Sequence, residues 1–173
     1  MYAYQVGSVD SHVLSIDFKH ALAQIEFMVQ LDAPSSDYTL SITEIDIQNV
    51  DLSAQLNYVQ SQDVCKWTNN TDNQTDVIKY SDNFVMLTDE VKTYASAMVM
   101  MPQTLSSETS VRIEYKLVDA EGNLTWGETV KQLTSMQNEW KVSTKYSYLL
   151  NFSIDEKSAT PTVNLNLDNV QNY

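Results

Sequence analysis

Apolar and polar positions along this chain alternate with period two in stretch after stretch, and no long helical period appears. The clearest stretch is Val13 to Leu31, VLSIDFKHALAQIEFMVQL. In its second half Ala21, Ala23, Ile25, Phe27, Val29 and Leu31 fall on one side, while Gln24, Glu26 and Gln30 fall on the other; Leu22 and Met28 are apolar exceptions. Successive strand side chains point to opposite faces, so the pattern predicts a strand with one buried face. A one-residue slip would turn that face to water, which fixes its register. Leu14, Ile16 and Phe18 alternate as well, but Lys19 and His20 interrupt, which predicts a bend or bulge there.

The same alternation recurs downstream. Asp32 to Asp37 (DAPSSD) reads as a turn. Tyr38, Leu40 and Ile42 then alternate, and the apolar set resumes out of phase at Ile45 and Ile47, which predicts a β-bulge at Thr43 and Glu44. Val50 to Val59 leaves room for a short strand. Trp67 to Asp76 (WTNNTDNQTD) is the least hydrophobic part and is expected to be an exposed loop. Two short apolar groups, VIKY and FVML, lie between Val77 and Leu87. Thr88 to Thr93 has the residues of a helical turn, with Thr88 as N-cap. Tyr94 to Met100 is apolar on both sides and is expected to form a central strand.

Val111, Ile113, Tyr115 and Leu117 alternate strictly, Asp119 to Asn123 is a hairpin turn with Gly122 at the positive-φ position, and Leu124 to Val130 returns. Tyr146, Tyr148, Leu150, Phe152 and Ile154 predict a face rich in large side chains. The tail, Val163 to Tyr173, alternates Val163, Leu165 and Leu167 with polar partners; it is either the last strand of its own sheet or a donor to a neighbour, and pairing within its own domain is expected. Many short strands separated by turn signals predict an all-β, antiparallel Greek-key β-sandwich, with residues 1–173 as one domain.

Composition narrows the partners. Ten basic and 23 acidic residues leave a net charge of −13. That argues against nucleic acid, whose affinity comes from neutralised phosphates, and against anionic membrane surfaces. No apolar run reaches membrane-spanning length. The single cysteine, Cys65, excludes an intrachain disulfide. Three glycines are few for a chain of strands, so turns are expected to rely on Asn, Asp and Ser.

Nothing in the chain assembles a recognisable catalytic motif. His12 and His20 are the two histidines, and His20 is expected to hydrogen-bond at the bend. Zinc sites need Cys/His clusters at short spacing, which are absent here, as are nucleophile-elbow, P-loop and dinucleotide glycine patterns. Asp72, Asn73 and Asp76 in the polar stretch, and Asp119, Glu121 and Asn123 in the hairpin, are cation candidates that lack EF-hand spacing and read as solvated turns. Trp67, Trp126 and Trp140 raise a carbohydrate-stacking face, best placed on Trp67, whereas aromatics on strands more often form cross-strand pairs. No catalytic, cofactor or metal residues are assigned.

Phe18-Lys19-His20-Ala21-Leu22-Ala23 resembles the F-x-H-A-L-A signature of the fimbrillin-like family, the type V pilus subunits and related surface adhesins of Bacteroidales-type bacteria. Met100 to Leu105 resembles its MPQTL segment, Trp140 through Tyr146 and Tyr148 its W-x-x-G-x-x-Y-x-Y strand entry, Val163 to Val170 its closing strand, and Met1-Tyr2-Ala3 the LMYA that precedes the signature. Ser143 stands where the family has glycine, which denies the turn easy access to positive φ. The resemblance implies a transthyretin-like sandwich and the carboxy-terminal half of such a protein. It further implies a non-enzymatic fimbrial subunit or adhesin at the cell surface, in the fimbrium or anchored to the outer membrane. The implied partners are other fimbrial subunits, joined by strand addition after proteolysis frees a groove, or host and bacterial surface ligands. A cell-surface carbohydrate-binding module is the alternative.

Overall fold

The computed structural model describes residues 3, 18–59, 62, 64–69, 77–80, 85–155 and 157–172, with backbone alone at 65, 69 and 77–80. Fourteen strands follow one another: β1 (Ala23–Leu31), β2 (Tyr38–Gln48), β3 (Ala54–Val59), β4 (Val64–Asn69), β5 (Val77–Tyr80), β6 (Val85–Met86), β7 (Lys92–Thr93), β8 (Met98–Met100), β9 (Gln103–Thr104), β10 (Ser110–Asp119), β11 (Leu124–Gln132), β12 (Glu139–Trp140), β13 (Thr144–Asp155) and β14 (Thr160–Asn172). There is no α-helix among the described residues.

One sheet runs β14-β13-β1, with β7 and β8 on the far side of β1. The other runs β11-β10-β2, with β5 and β6 on the far side of β2. Two small pairs, β9 with β12 and β3 with β4, lie apart from these sheets. The two large sheets share one core. Ile25, Phe27, Tyr148 and Phe152 from the first pack in the same cluster as Leu40, Ile45, Ile113 and Tyr115 from the second. The rings of Tyr115 and Phe152 meet edge to face at 6.5 Å and tie the layers together.

The alternation set out above maps onto this core. Ala23, Ile25, Phe27, Val29 and Leu31 are all buried, and β1 shows strict in-out burial. Phe27 stacks on Tyr148 with ring centroids 5.7 Å apart. On β2 the face switches from Leu40 and Ile42 to Ile45 and Ile47 because Thr43 is an extra residue: Glu114 pairs with Glu44 while Tyr115 pairs with Ile42. The bulge sits where the phase of the apolar pattern breaks. The hairpin between β10 and β11 turns at Gly122 with φ +84°. The tail, as β14, pairs antiparallel with β13 from Thr160↔Asp155 to Asn172↔Thr144. It is thus a strand of its own sheet.

Four readings are corrected. First, the expected antiparallel pairing dominates both sheets but has one exception: β1 runs parallel to β13, from Gln24↔Lys145 to Leu31↔Phe152. Second, Thr88 to Thr93 is no helical turn. Leu87 N–H donates to Leu40 O (2.9 Å), and Thr88 O accepts from Leu31 N–H (2.8 Å), so this backbone bridges the two sheets in an extended course. Thr88 does use its hydroxyl locally, accepting weakly from Glu90 N–H at 3.3 Å. Third, Tyr94 to Met100 is not a central strand. It is a bend followed by β8 at the edge of β1, with Tyr94 and Met100 buried and Val99 exposed. Fourth, Trp67 is not in a loop but on β4, opposite Leu56 of β3. A two-stranded hairpin need not bury a face, so its polar composition looked like a loop; Leu56 and Tyr58 on β3 are themselves exposed. Residues 70–76, the rest of that stretch, lie outside the described residues, as do Leu14 and Ile16; Phe18 is exposed.

Phe27 supports both its sheet and the layer interface, so Phe27→Ala is expected to cost roughly 3–5 kcal/mol. Urea melts measure this directly; a loss under about 1 kcal/mol would contradict the burial of β1.

Candidate functional site

The two sequence motifs between Met100 and Tyr148 converge on one end of the sandwich. Gln103, on β9, is buried, and its amide clasps the backbone of Asp51: Asp51 N–H donates to Oε1 (2.8 Å) and Nε2 donates to Asp51 O (3.2 Å). This holds the chain leaving β2 against β9, a task that needs both an acceptor and a donor on one side chain. Trp140, on β12 and paired with Gln103, is fully buried. Its Nε1–H donates to the Tyr148 hydroxyl (3.0 Å), and Lys141 N–H donates to the Tyr146 hydroxyl (2.9 Å). The spacing of Trp140, Tyr146 and Tyr148 is thus the spacing of a hydrogen-bonded knot at the entry to β13. Burial pushes the Tyr148 hydroxyl up to about 12, against a smaller lowering by the Trp140 hydrogen bond.

Ser143 closes that knot, and it does so at φ +53°, in the left-handed region. The turn keeps the glycine-like backbone although the glycine is absent. A non-glycine residue there costs about 1–2 kcal/mol. Two bonds offset it: Ser143 Oγ–H donates to His20 O (2.6 Å) and Ser143 N–H donates to Leu22 O (3.1 Å). The bend at His20 is therefore pinned through its backbone carbonyl, by the strand entry opposite.

Beside the knot a cleft of about 450 Å³ opens between Trp67 and the β9–β12 pair. Trp67 is half-buried rather than exposed, and its Nε1–H donates to Ala21 O (2.7 Å), which fixes the indole over the start of β1. Pro102 and Val142 extend the apolar wall, and Thr104, Glu139 and Lys141 stand on the polar side. Glu139 and Lys141 form a loose ion pair at 3.8 Å with both side chains well exposed.

The remaining candidates are dispersed. His20 is exposed at the strand entry. His12 and the residues Asp72, Asn73 and Asp76 lie outside the described residues, and nothing is described of the Cys65 side chain. The Asp119 carboxylate is used by its own turn: one oxygen accepts from Asn123 N–H (2.7 Å), the other from Asn123 Nδ2 (2.8 Å), and these bonds hold its pKa below the ordinary value. Glu121 is exposed on the same turn. Among the described residues no three His, Cys, Asp or Glu side chains are grouped to hold a metal ion. No helix among them is long and apolar enough to cross a membrane. Trp126 is exposed on the outer face of β11, between Leu124 and Glu128.

With this geometry in place, comparison with known proteins is informative. The family model described as fimbrillin-like matches residues 1–166. The chain belongs to the fimbrillin-like family. A fimbrial protein from Bacteroides vulgatus superposes with a TM-score of 0.52 at 16% identity, over 91% of this chain and 56% of that one. A Bacteroides uniformis protein assigned provisionally to cell adhesion gives a TM-score of 0.45 at 15% identity, over 92% of this chain and 53% of that one. At this identity the Bacteroides vulgatus likeness shows the fold alone, and the chain spans little more than half the length of either structure. No curated protein matches the chain.

Two features of this fimbrillin-like chain were not anticipated. Gly127 sits opposite Tyr115, whose ring lies where a side chain would be: a Cβ there would come within 2.5 Å of the ring. The signal was a lone glycine inside an alternating strand, which marks close approach. On the outer face of the second sheet Glu44, Glu114 and Glu128 lie abreast on β2, β10 and β11. Arg112 reaches all three and also Asp46, at 2.7 Å to Glu44, 3.3 Å to Glu128, and in close contact with Glu114 and Asp46. Its hydrogen bond to the buried Asp46 is the main reason the guanidinium is held well above its ordinary pKa.

Two outcomes check the knot. Ser143→Ala loses the bond to His20 but keeps the left-handed backbone, so it is expected to cost about 1 kcal/mol. Ser143→Gly loses the bond and relieves the backbone, and should stay within about 0.5 kcal/mol of the parent; equal destabilisation by both in urea melts would contradict the assigned φ. Tyr148→Phe leaves Trp140 Nε1 without its acceptor and is expected to cost about 1–3 kcal/mol at neutral pH. In the parent the unfolded tyrosine ionises near its ordinary value of 10.0 while the folded one waits until about 12. That part of the stability is present below pH 10 and is lost as the pH rises from there to about 12. Tyr148→Phe should lose less stability than the parent across this alkaline window in melts at fixed pH.

Proposed function

We propose that this chain is a non-enzymatic fimbrial subunit or adhesin of the cell surface, joined to its neighbours by strand addition at open sheet edges. The observation that carries the reading is the pair of long edge strands in a fimbrillin-like chain. β14 has 13 residues and β11 has 9, and each is hydrogen-bonded on one side only among the described residues. An added strand would complete such an edge through main-chain hydrogen bonds, while its alternate side chains find pockets. Apolar side chains stand ready near both edges: Leu124, Trp126 and Val130 on β11, and Val170 on β14. We take residues 1–173 as one sandwich domain that corresponds to one half of a longer fimbrillin-like protein. The domain has no assigned catalytic or cofactor residue, and the partners are further subunits or surface ligands. Carbohydrate binding is the second reading, and the Trp67 cleft favours it.

Negative-stain electron microscopy of cells exporting the whole protein tests the proposal. Filaments or surface assemblies containing the chain are expected. Val130→Lys and Val170→Lys put charges beside the two edges and should reduce assembly while leaving the melting temperature nearly unchanged. A protein that remains monomeric on its cells, with neither filaments nor cross-linked ladders, would sink the reading.

A further inference from the structure

We infer that the cleft between Trp67 and the β9–β12 pair is a binding site for a neutral sugar residue. The inference deepens the carbohydrate-binding reading above and rests on it; the site is separate from the sheet edges that the assembly reading uses.

Size is the first argument. The cleft holds about 450 Å³, within the roughly 300–1,000 Å³ range of small-molecule sites. The wall is the second. Trp67 has its one polar atom committed to Ala21 O at 2.7 Å, so its ring is oriented in advance and offers only apolar surface to a ligand. Pro102 and Val142 continue that surface. A pyranose has a face of C–H groups that suits an indole and a rim of hydroxyls that does not.

The polar side completes the match. Glu139 and Lys141 flank Trp140 on alternate positions of the chain and so share a face, opposite the buried indole. They supply an acceptor and a donor a few ångströms apart, and their 3.8 Å pairing is loose enough to yield to hydroxyls. The Thr104 hydroxyl adds a group that both donates and accepts. Gln103 lines the same cleft, but its amide is occupied with the backbone of Asp51, so it shapes the floor and leaves recognition to the rim. Glu139 and Lys141 cancel in charge, whereas the chain as a whole carries −13. An anionic sugar would meet Glu139 within an acidic field, and a cationic ligand would meet Lys141. A neutral ligand rich in hydroxyls fits both members of the pair.

The test is an array of neutral and sialylated mono- to tetrasaccharides probed with the labelled whole chain, followed by titration of the retained sugars against tryptophan fluorescence. Retention of neutral sugars is expected. Trp67→Ala should weaken it by roughly tenfold or more, the loss of one good contact. That change also removes the bond to Ala21, so the exposed double substitution Glu139→Gln with Lys141→Met provides a second reading that leaves the fold intact, with the same expected loss. Trp126→Ala, on the far sheet, should bind as the parent does. Retention of no sugar, retention of sialylated sugars alone, or binding that survives both the Trp67 and the rim changes would overturn the assignment. Filament formation by the rim variant should be unchanged, so a failure of sugar binding is distinguishable from a failure of assembly; joint loss of both would overturn the separation of the two sites.

Discussion

The parallel pairing of β1 with β13 is the constraint on which the other contacts depend. It joins Gln24 to Lys145 and Leu31 to Phe152 across most of the chain. Closing so long a loop costs entropy before any contact returns it, and parallel pairs are slightly weaker per residue than antiparallel ones. The fold compensates at both ends and between. At one end Ser143 binds the backbone at His20 and Leu22; at the other, Asp32 N–H donates to Phe152 O at 2.7 Å. Between them Lys145 pairs with Glu26 at 2.8 Å, and the Ser147 hydroxyl donates to the same carboxylate at 3.1 Å. The buried Phe27–Tyr148 stack lies beneath. With β1 placed, β7 and β8 have an edge to join, and Trp67 has Ala21 O to bind.

A chain with three glycines must make its turns by other means. Asn49 and Ser143 take positive φ, and the polar side chain of each donates to a distant backbone carbonyl. Asn49 Nδ2 donates to Glu108 O at 2.9 Å, and the Thr109 hydroxyl donates to Asn49 O at 2.9 Å, so the strain there is held by long-range bonds. Ala33 and Ala159 also take positive φ. Alanine has no side-chain hydrogen bond to offer, so neighbouring side chains help to hold these two turns: Ser35 Oγ accepts from Asp37 N–H (3.2 Å), and Asp155 Oδ1 accepts from Lys157 N–H (2.8 Å). At Ala159 the long β13–β14 pairing, whose register runs to Asp155↔Thr160, adds to this.

How much was legible follows from what each signal measures. Period-two alternation reports one buried face, so β1, β2, β10 and β13 could be read from the chain, and the phase break located the Thr43 bulge. The resemblance motifs located the knot, because Trp140, Tyr146 and Tyr148 act through fixed spacings. Alternation is blind to partner and direction, which is why the parallel pair was missed. It is weak where most of the described side chains of a strand are exposed, as in β4, and that misplaced Trp67. Short edge strands such as β7, with two residues, carry too few positions for any period. The segment from Leu87 to Tyr94 was misread because its backbone bonds go to distant strands, and local propensity does not report those. The cleft needs Trp67, Pro102 and Glu139 at once; their sequence separation hides it until the fold brings them together.

The acidic surface sets a condition on any use of the edges. Glu44, Glu114 and Glu128 face one another across three strands, an arrangement that opposes sheet formation because like charges directly opposite repel. Arg112 reverses the sign of that contribution by standing beside all three and by pairing with the buried Asp46. The repulsion is thus settled within the sheet, next to the edge strand β11. Two copies of a chain of charge −13 repel. Salt screens exposed charges beyond about 8 Å at physiological ionic strength, so the repulsion is weak at long range and grows as two edges come together. Main-chain hydrogen bonds along an edge act only at contact. Pairing of two such edges therefore requires main-chain hydrogen bonds that outweigh the repulsion at contact.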